Sequence, residues 1–154
     1  MPVRVPPSGT RGAFFPRALA AFGNRMSVGQ FGRRGSARTQ GGVPAFLLET
    51  TGAKSGRVRQ AVLGYIEESP DSWLVIASAI GAARHPAWVH NLASRPEATV
   101  RFGDGRRVPV VAESLDGDEL DRAWERIAVE APEYVKYRAK TNRDIPVVRL
   151  RRIE

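Results

Sequence analysis

The sequence predicts a mainly β protein, folded as a small closed or partly closed barrel with short helices around it. Six segments have the β-branched and alternating composition of strands, and short turns rich in Gly, Pro and Asp separate them. No series of strand, helix and strand of the kind that builds a parallel sheet is evident, which favours the barrel over a doubly wound fold. A length of 154 residues fits one domain.

The N-terminal part, residues 1–42, is predicted to be a flexible basic arm that carries one helix. Apolar side chains recur at helical spacing over residues 15–26 and predict a single apolar stripe. The stripe consists of Phe15, Leu19, Phe22 and Met26. Residues 1–12 are rich in Pro and residues 29–42 in Gly, Arg and Ser, compositions that are typical of a tail and a linker.

Residues 43–154 contain all the predicted strands. They are residues 45–50, 60–66, 73–78, 98–102, 106–113 and 147–153. Residues 103–105, Gly-Asp-Gly, predict a hairpin turn between the fourth and fifth strands. Helices are expected over residues 86–94 and 118–131, and a further short helix is expected to carry Tyr134 and Tyr137.

The charge of the chain is unevenly distributed. Residues 1–48 contain seven arginines and no acidic residue, whereas the rest of the chain is nearly balanced. Such an arm suits an anionic membrane surface, where each cation contributes about 1 kcal/mol. Packing of the arm on the barrel or on a partner subunit is the equal alternative, and a homodimer is compatible with the sequence. Nucleic-acid binding through the arm is a third reading, disfavoured because the folded part is nearly neutral.

The chain has no cysteine, which excludes disulfides, thiolate catalysis and cysteine-based zinc sites. Its two histidines, His85 and His90, have no nearby acidic residue that would complete a metal site. We expect no metal, with His85 at the start of a helix and His90 exposed. The composition fits a reducing cytoplasm.

The clearest candidate for a ligand site is the stretch of small residues that follows the third strand, residues 78–84. Small residues let a ligand approach the backbone, whose N–H groups can hold an anion. Pro86 fits the first position of the next helix, so the N–H groups of Ala87 and Trp88 would point back towards this gap. A strand, a gap and a helix in this order predict a binding site.

A second candidate is the loop between the first two strands. It places Lys54, Ser55, Gly56, Arg57 and Arg59 within six residues. Its cations suit a phosphodiester or carboxylates, although a solvated hairpin loop would have the same composition.

The sequence allows two roles for each of four further side chains. Trp88 and Asn91 share a helix face, where they could contact a flat ligand or instead fill the core and cap a backbone group. Tyr134 and Tyr137 are also one turn apart and could orient a substrate or pack on the barrel. The residues alone therefore predict a site without naming its ligand.

Three stretches, residues 48–59, 78–91 and 134–148, together resemble the deazaflavin-dependent nitroreductase family. Members of this family bind coenzyme F420, and the similarity runs from about Ala45 to the C-terminus. The resemblance implies a six-stranded split β-barrel of the FMN-binding type with short flanking helices. Residues 43–154 would then be the deazaflavin-binding domain.

The resemblance also implies roles for individual residues. The implied cofactor contacts are Lys54, Ser55, Gly56, Arg57, Arg59, Val62, Gly64, Ser78, Ala79, Gly81, Ala82, Arg84, Pro86, Trp88, Asn91 and Tyr134. Ser78 and Tyr134 are the implied catalytic residues, which steer or deliver a proton, and Tyr134 and Tyr137 would line the substrate side. The implied reaction is hydride transfer from reduced F420 to a small-molecule quinone, enone or nitro acceptor.

Two positions in the last helical region narrow the expected class of acceptor. Family members that reduce bulky nitroimidazoles carry extra aromatic residues in the last helical region, where this chain has Ala131 and Lys140. A quinone or enone acceptor is therefore favoured, and a membrane quinone would fit a cytoplasmic enzyme at the inner face of the membrane. An FMN-dependent oxidoreductase on the same barrel and a non-catalytic F420-binding protein remain alternatives.

Overall fold

The computed structural model describes residues 2–14, 17–34 and 42–153, and it confirms the predicted barrel. Six antiparallel strands close in the order β1-β2-β3-β6-β5-β4. The strands are β1 (Ala45–Thr51), β2 (Val58–Ser69), β3 (Ser72–Ile76), β4 (Glu97–Arg101), β5 (Arg107–Ser114) and β6 (Val147–Arg152). The helices of this part of the chain are α1 (Arg17–Arg34), α2 (Ala87–Ser94), α3 (Gly117–Glu130) and α4 (Glu133–Ala139). A short 3-10 turn, Ala79–Gly81, follows β3.

Alternation along the strands divides the apolar side chains into two clusters. The first fills the barrel and includes Phe46, Trp73 and Val110, together with Trp88 and Leu92 of α2. The second lies outside the barrel, where alternate residues of β3 and β6 pack against α3 and α4. Helix α2 therefore plugs the barrel, while α4 is held on the outer layer beside the 3-10 turn.

The predicted linker over residues 29–42 is wrong for its first part, because α1 continues to Arg34. Phe31 is buried, and the guanidinium of Arg101 lies 5.7 Å from the centre of its ring. This contact anchors a segment that its two glycines would otherwise disfavour as helix. Of the predicted apolar stripe, Met26 is half-exposed, whereas Phe15 and the side chains of Leu19 and Phe22 lie outside the described residues.

The predicted flexible tail is also wrong for residues 2–14, which pack on the barrel. Val3 is buried in the first cluster, and the Arg4 N–H donates to Ser114 Oγ at 3.0 Å. The Gly9 N–H donates to the Ala83 carbonyl at 2.8 Å. Further along, the Asn142 carboxamide oxygen accepts from the N–H groups of Thr10 and Arg11. The backbone groups of this segment bond to loops and side chains rather than to regular strands. Its sequence therefore has no periodicity that would predict its packing.

Candidate functional site

The backbone edge of β2 before its pairing with β3 meets no other described strand, although Gly64 is buried and Asn24 Nδ2 of α1 donates to the Gln60 carbonyl at 2.8 Å. The Tyr65 N–H donates to the Pro44 carbonyl on the β1 side, and pairing between β2 and β3 begins only at Tyr65 and Val75. Because N–H groups alternate in direction along an antiparallel strand, those of Val62 and Gly64 point away from β1. Beyond the end of the pairing with β3, no described strand meets them. This edge is the split of the barrel.

The segment after β3 has an unusual backbone. Ala79, Ile80 and Gly81 have φ values of 44°, 58° and 81°, three consecutive residues in the left-handed region. Such a conformation is costly for alanine and more so for β-branched isoleucine, and strained backbone of this kind concentrates at functional sites. Ser78, the predicted proton donor, is buried immediately before it. The sequence predicted the position of this segment but not its conformation.

Helix α4 packs directly against the same turn. A Cβ atom on Gly81 would lie 2.8 Å from the Tyr137 carbonyl oxygen and 2.8 Å from Lys140 Cβ, so only glycine fits here. Tyr134 and Tyr137 are both buried, with ring centres 5.8 Å apart in an edge-to-face arrangement. Burial raises the pKa of the Tyr137 phenol further above its already alkaline ordinary value, so the phenol keeps its proton at neutral pH with a wider margin. The fold brings the two predicted tyrosines to the segment that contains Ser78.

The basic loop has a tight conformation held by its own backbone. The Gly52 N–H donates to the Arg57 carbonyl at 2.7 Å, and the Gly56 N–H donates to the Gly52 carbonyl at 2.9 Å. Lys54, Arg57 and Arg59 are exposed, and none of them has an ion-pair partner in the described part of the chain. These charges are available to an anionic ligand.

Asn91 joins this loop to helix α2. Its carboxamide oxygen accepts from the Ala53 N–H at 3.0 Å, and its Nδ2 donates to Thr50 Oγ1 at 3.0 Å. The side chain is buried, so the structure favours a supporting role for Asn91 over the direct cofactor contact predicted for it. Trp88 is likewise buried in the barrel cluster, which favours core packing. Asn91 therefore holds the loop against α2.

The remaining predicted residues differ in accessibility. Arg84 is exposed, Ala79 and Pro86 are partly buried, and Ala82 is buried. Pro86 immediately precedes α2, which begins at Ala87 rather than at the proline. His90 is exposed, which confirms the prediction for it.

His85 lies directly before Pro86, the N-cap of α2, which agrees with its predicted place at the start of a helix. His85 is buried, and its Nε2 lies 2.7 Å from the Pro6 carbonyl oxygen. Arg143, to which sequence analysis assigned no role, is buried beside it with Nη1 3.1 Å from His85 Nδ1. The only sequence signal for Arg143 was its place within the third matching stretch, residues 134–148.

A cavity of about 430 Å³ lies elsewhere on the surface. Its lining residues are Gly42, Val43, Pro44, Tyr65, Ile66, Glu67 and Glu130. None of the predicted site residues is among them. The predicted residues instead gather along the split, the strained turn and the basic loop.

Known proteins share this arrangement of fold and motifs. Residues 23–151 match the F420H(2)-dependent quinone reductase family. The chain belongs to this family. The match begins within the predicted arm and so extends further towards the N-terminus than the resemblance did. The family and coenzyme F420 as its cofactor, both predicted from the sequence, are confirmed, and FMN is not favoured.

Individual relatives agree with this assignment. An F420H(2)-dependent quinone reductase of Mycobacterium tuberculosis is 37% identical over 118 residues, which cover 75% of this chain and 78% of that protein. A solved F420-H2-dependent reductase, FDR-A, has 34% identity and a TM-score of 0.61, covering 69% of this chain and 92% of that chain. A structure described as a domain-swapped dimer has 32% identity and a TM-score of 0.63, covering 82% and 97% of the two chains. The likeness to the M. tuberculosis and FDR-A proteins supports the F420-dependent reductase reading.

Proposed function

We propose that this protein is an F420H2-dependent reductase whose acceptor is a quinone and whose cofactor lies along the split. The observation that carries the proposal is the stretch of β2 at Val62 and Gly64, whose N–H groups point away from β1 and pair with no described strand. Two adjacent donors suit the carbonyl-bearing edge of a flat ring. The cofactor domain is assigned to residues 43–154, which contain all six strands.

The basic loop fits the other end of the cofactor. F420 carries a phosphodiester and a tail of carboxylates, whereas FMN ends in a single phosphate. Lys54, Arg57 and Arg59 would hold these anions, with the Ser55 hydroxyl as a further donor. The three cations without ion-pair partners among the described residues are more than a single phosphate needs.

The chain's own side chains would supply position and protons. When bound, reduced F420 supplies the hydride that reduces the acceptor. The buried Ser78 hydroxyl and the Tyr134 phenol would steer or deliver the proton, and Tyr137 would line the acceptor side. Tyr134 and Tyr137, which are buried in the second cluster, would help to exclude water from the acceptor and so protect a hydride donor from side reactions.

A quinone is favoured over a bulky nitro compound as the acceptor. Ala131 is fully buried at the end of α3, and Lys140 places its ammonium 5.6 Å from the Tyr137 ring. Neither position offers an additional aromatic surface for stacking, so reduction of nitro compounds is the secondary proposal.

Titration with F420 and, separately, with FMN tests this proposal. Cofactor fluorescence should report tight binding of F420 alone, weakened by about tenfold in Lys54→Ala and in Arg59→Ala because each change removes a charge-assisted contact. Arg122→Ala is the matched control, since Arg122 is an exposed cation on α3. The affinity of this variant for F420 should equal that of the wild-type protein. Preferential binding of FMN, or binding of neither cofactor, would reject the proposal.

We also propose that residues 1–40 bring the enzyme to the inner face of the membrane, where quinones are found. Seven arginines without an acidic residue attract anionic lipid, and Phe14 and Met26 are more than half exposed. No described helix is long and apolar enough to cross a membrane. The full chain should float with anionic vesicles. Most of the floating fraction should be lost when glutamine replaces Arg17, Arg25, Arg33 and Arg34. Equal flotation of both forms would exclude a role for the arm.

A further inference from the structure

The left-handed turn after β3 needs contacts that stabilise its strained backbone. Ala79 and Ile80 each adopt a left-handed conformation that is strained for a residue with a side chain. Ile80 is about half exposed, so burial of its own side chain does not repay that cost. The compensating contacts must come from groups that bind the backbone on either side of the turn.

Arg143 supplies such contacts at both ends. Its Nη2 donates to the Ser78 carbonyl at 2.8 Å, and its Nε donates to the Ala82 carbonyl at 2.8 Å. The two acceptors flank the three left-handed residues, so one planar guanidinium spans the turn. A lysine has a single donor atom and could not reach both carbonyls in this way.

Nothing in the described chain neutralises this charge. Arg143 is buried, and no carboxylate of the described residues forms an ion pair with it. Burial lowers its pKa, yet a guanidinium remains charged in proteins. A buried cation whose described partners are all uncharged is expensive, which indicates a specific use for it.

His85 completes the arrangement and ties it to the N-terminal segment. The Pro6 carbonyl can only accept a hydrogen bond, so His85 Nε2 carries the proton and donates to it at 2.7 Å. Nδ1 is then the acceptor for Arg143 Nη1 at 3.1 Å. The charged or titratable groups that face His85 are Arg143 and the His90 ring, whose centre is 6.2 Å away.

The neutral form of His85 is required for this contact. Burial first and the Arg143 charge second lower the pKa of His85, while the hydrogen bonds to the N-terminal carbonyls oppose this shift. At neutral pH the ring is therefore uncharged, and all three nitrogen atoms of the guanidinium have a hydrogen-bond acceptor. Protonation of Nδ1 would replace this acceptor with a second donor.

We propose that Arg143 is a positioning residue, which holds the Ser78–Ala82 backbone in the left-handed form that F420 binding requires. The inference rests on the proposed function only in its second half. Arg149 shows the contrast, because its guanidinium bonds to Glu68, Glu113 and Glu119 and to no backbone of the site.

Hydrogen exchange of the cofactor-free protein tests the first half. In Arg143→Lys we expect amide exchange over residues 78–83 to rise by about tenfold or more, with β5 and β6 unchanged. Arg149→Lys is the matched control and should leave residues 78–83 at the wild-type rate. Arg143→Gln, which keeps one donor without the charge, should give the same local increase and serves if the lysine variant does not fold.

Two further measurements separate positioning from general stability. The affinity for F420 should fall by about tenfold in Arg143→Lys and remain unchanged in Arg149→Lys. The pKa of His85, followed by NMR, should rise in Arg143→Gln because the neighbouring cation is gone. A purely structural Arg143 would lower the melting temperature without a selective change in residues 78–83 or in affinity.

The outcomes distinguish this inference from the proposed function. If the wild-type protein binds F420, unchanged hydrogen exchange and unchanged F420 affinity in Arg143→Lys would overturn the inference and leave the proposed function intact. If the wild-type protein failed to bind F420, the proposed function would fall, and the exchange data alone would decide whether Arg143 holds the turn.

Discussion

Gly81→Ala is expected to lower both the stability of the fold and its affinity for F420. The new Cβ would meet the Tyr137 carbonyl oxygen and Lys140 Cβ at 2.8 Å each, on a backbone with φ of 81°. Strain and displacement of α4 together should cost about 3 kcal/mol in the free energy of unfolding. Because α4 carries Tyr134 and Tyr137, which are proposed to line the site, F420 affinity should fall by about tenfold or more. Denaturant unfolding and cofactor titration measure the two effects.

Gly105→Ala separates strain from crowding. Gly105 has φ of 91°, yet a Cβ there would meet nothing within 4 Å, in a hairpin turn away from the predicted site residues. Only the backbone strain remains, which costs about 1 kcal/mol, and F420 affinity should be unchanged. Equal destabilisation by the two alanines would show that the close contact between the turn and α4 is absent.

The strands of this protein could be predicted because their signals are local. In β5, Val108, Val110 and Ala112 alternate with more exposed residues, and this period of two is legible in the sequence. The turn at residues 103–105 has the composition that hairpins demand. The family resemblance then brought separate stretches together as one site, including the open edge of β2 and the basic loop.

The features that escaped prediction depend on distant partners. Arg143 binds carbonyls 61 and 65 residues earlier in the chain, and nothing near it in sequence indicates that contact. The left-handed φ of Ile80 contradicts its local preference and exists only because other parts of the fold hold it. Asn91 was predicted as a cofactor contact, and its supporting bonds to Thr50 and Ala53 could not be read from the sequence.

Trp73→Ala is expected to be the most destabilising single change in the barrel. Trp73 is 2% exposed, and its ring centre lies 5.5 Å from that of Phe102. Removing the indole leaves a large cavity in close-packed surroundings, which typically costs about 3–5 kcal/mol. Urea unfolding followed by far-UV circular dichroism would measure this loss. A cost below about 1 kcal/mol would contradict the packing described for the first cluster.

Trp73→Phe is the informative companion, because the indole N–H finds no acceptor among the described residues. Phenylalanine removes this unsatisfied donor and keeps most of the ring, so the gain offsets part of the lost volume and the cost should stay near 1 kcal/mol. Trp73 lies near the start of β3, which ends at Ile76 before the strained turn, and none of its described contacts reaches the basic loop. Trp73→Ala should therefore lose more stability than Gly81→Ala while its folded fraction retains more of its F420 affinity. That opposite ranking would separate what supports the barrel from what shapes the site.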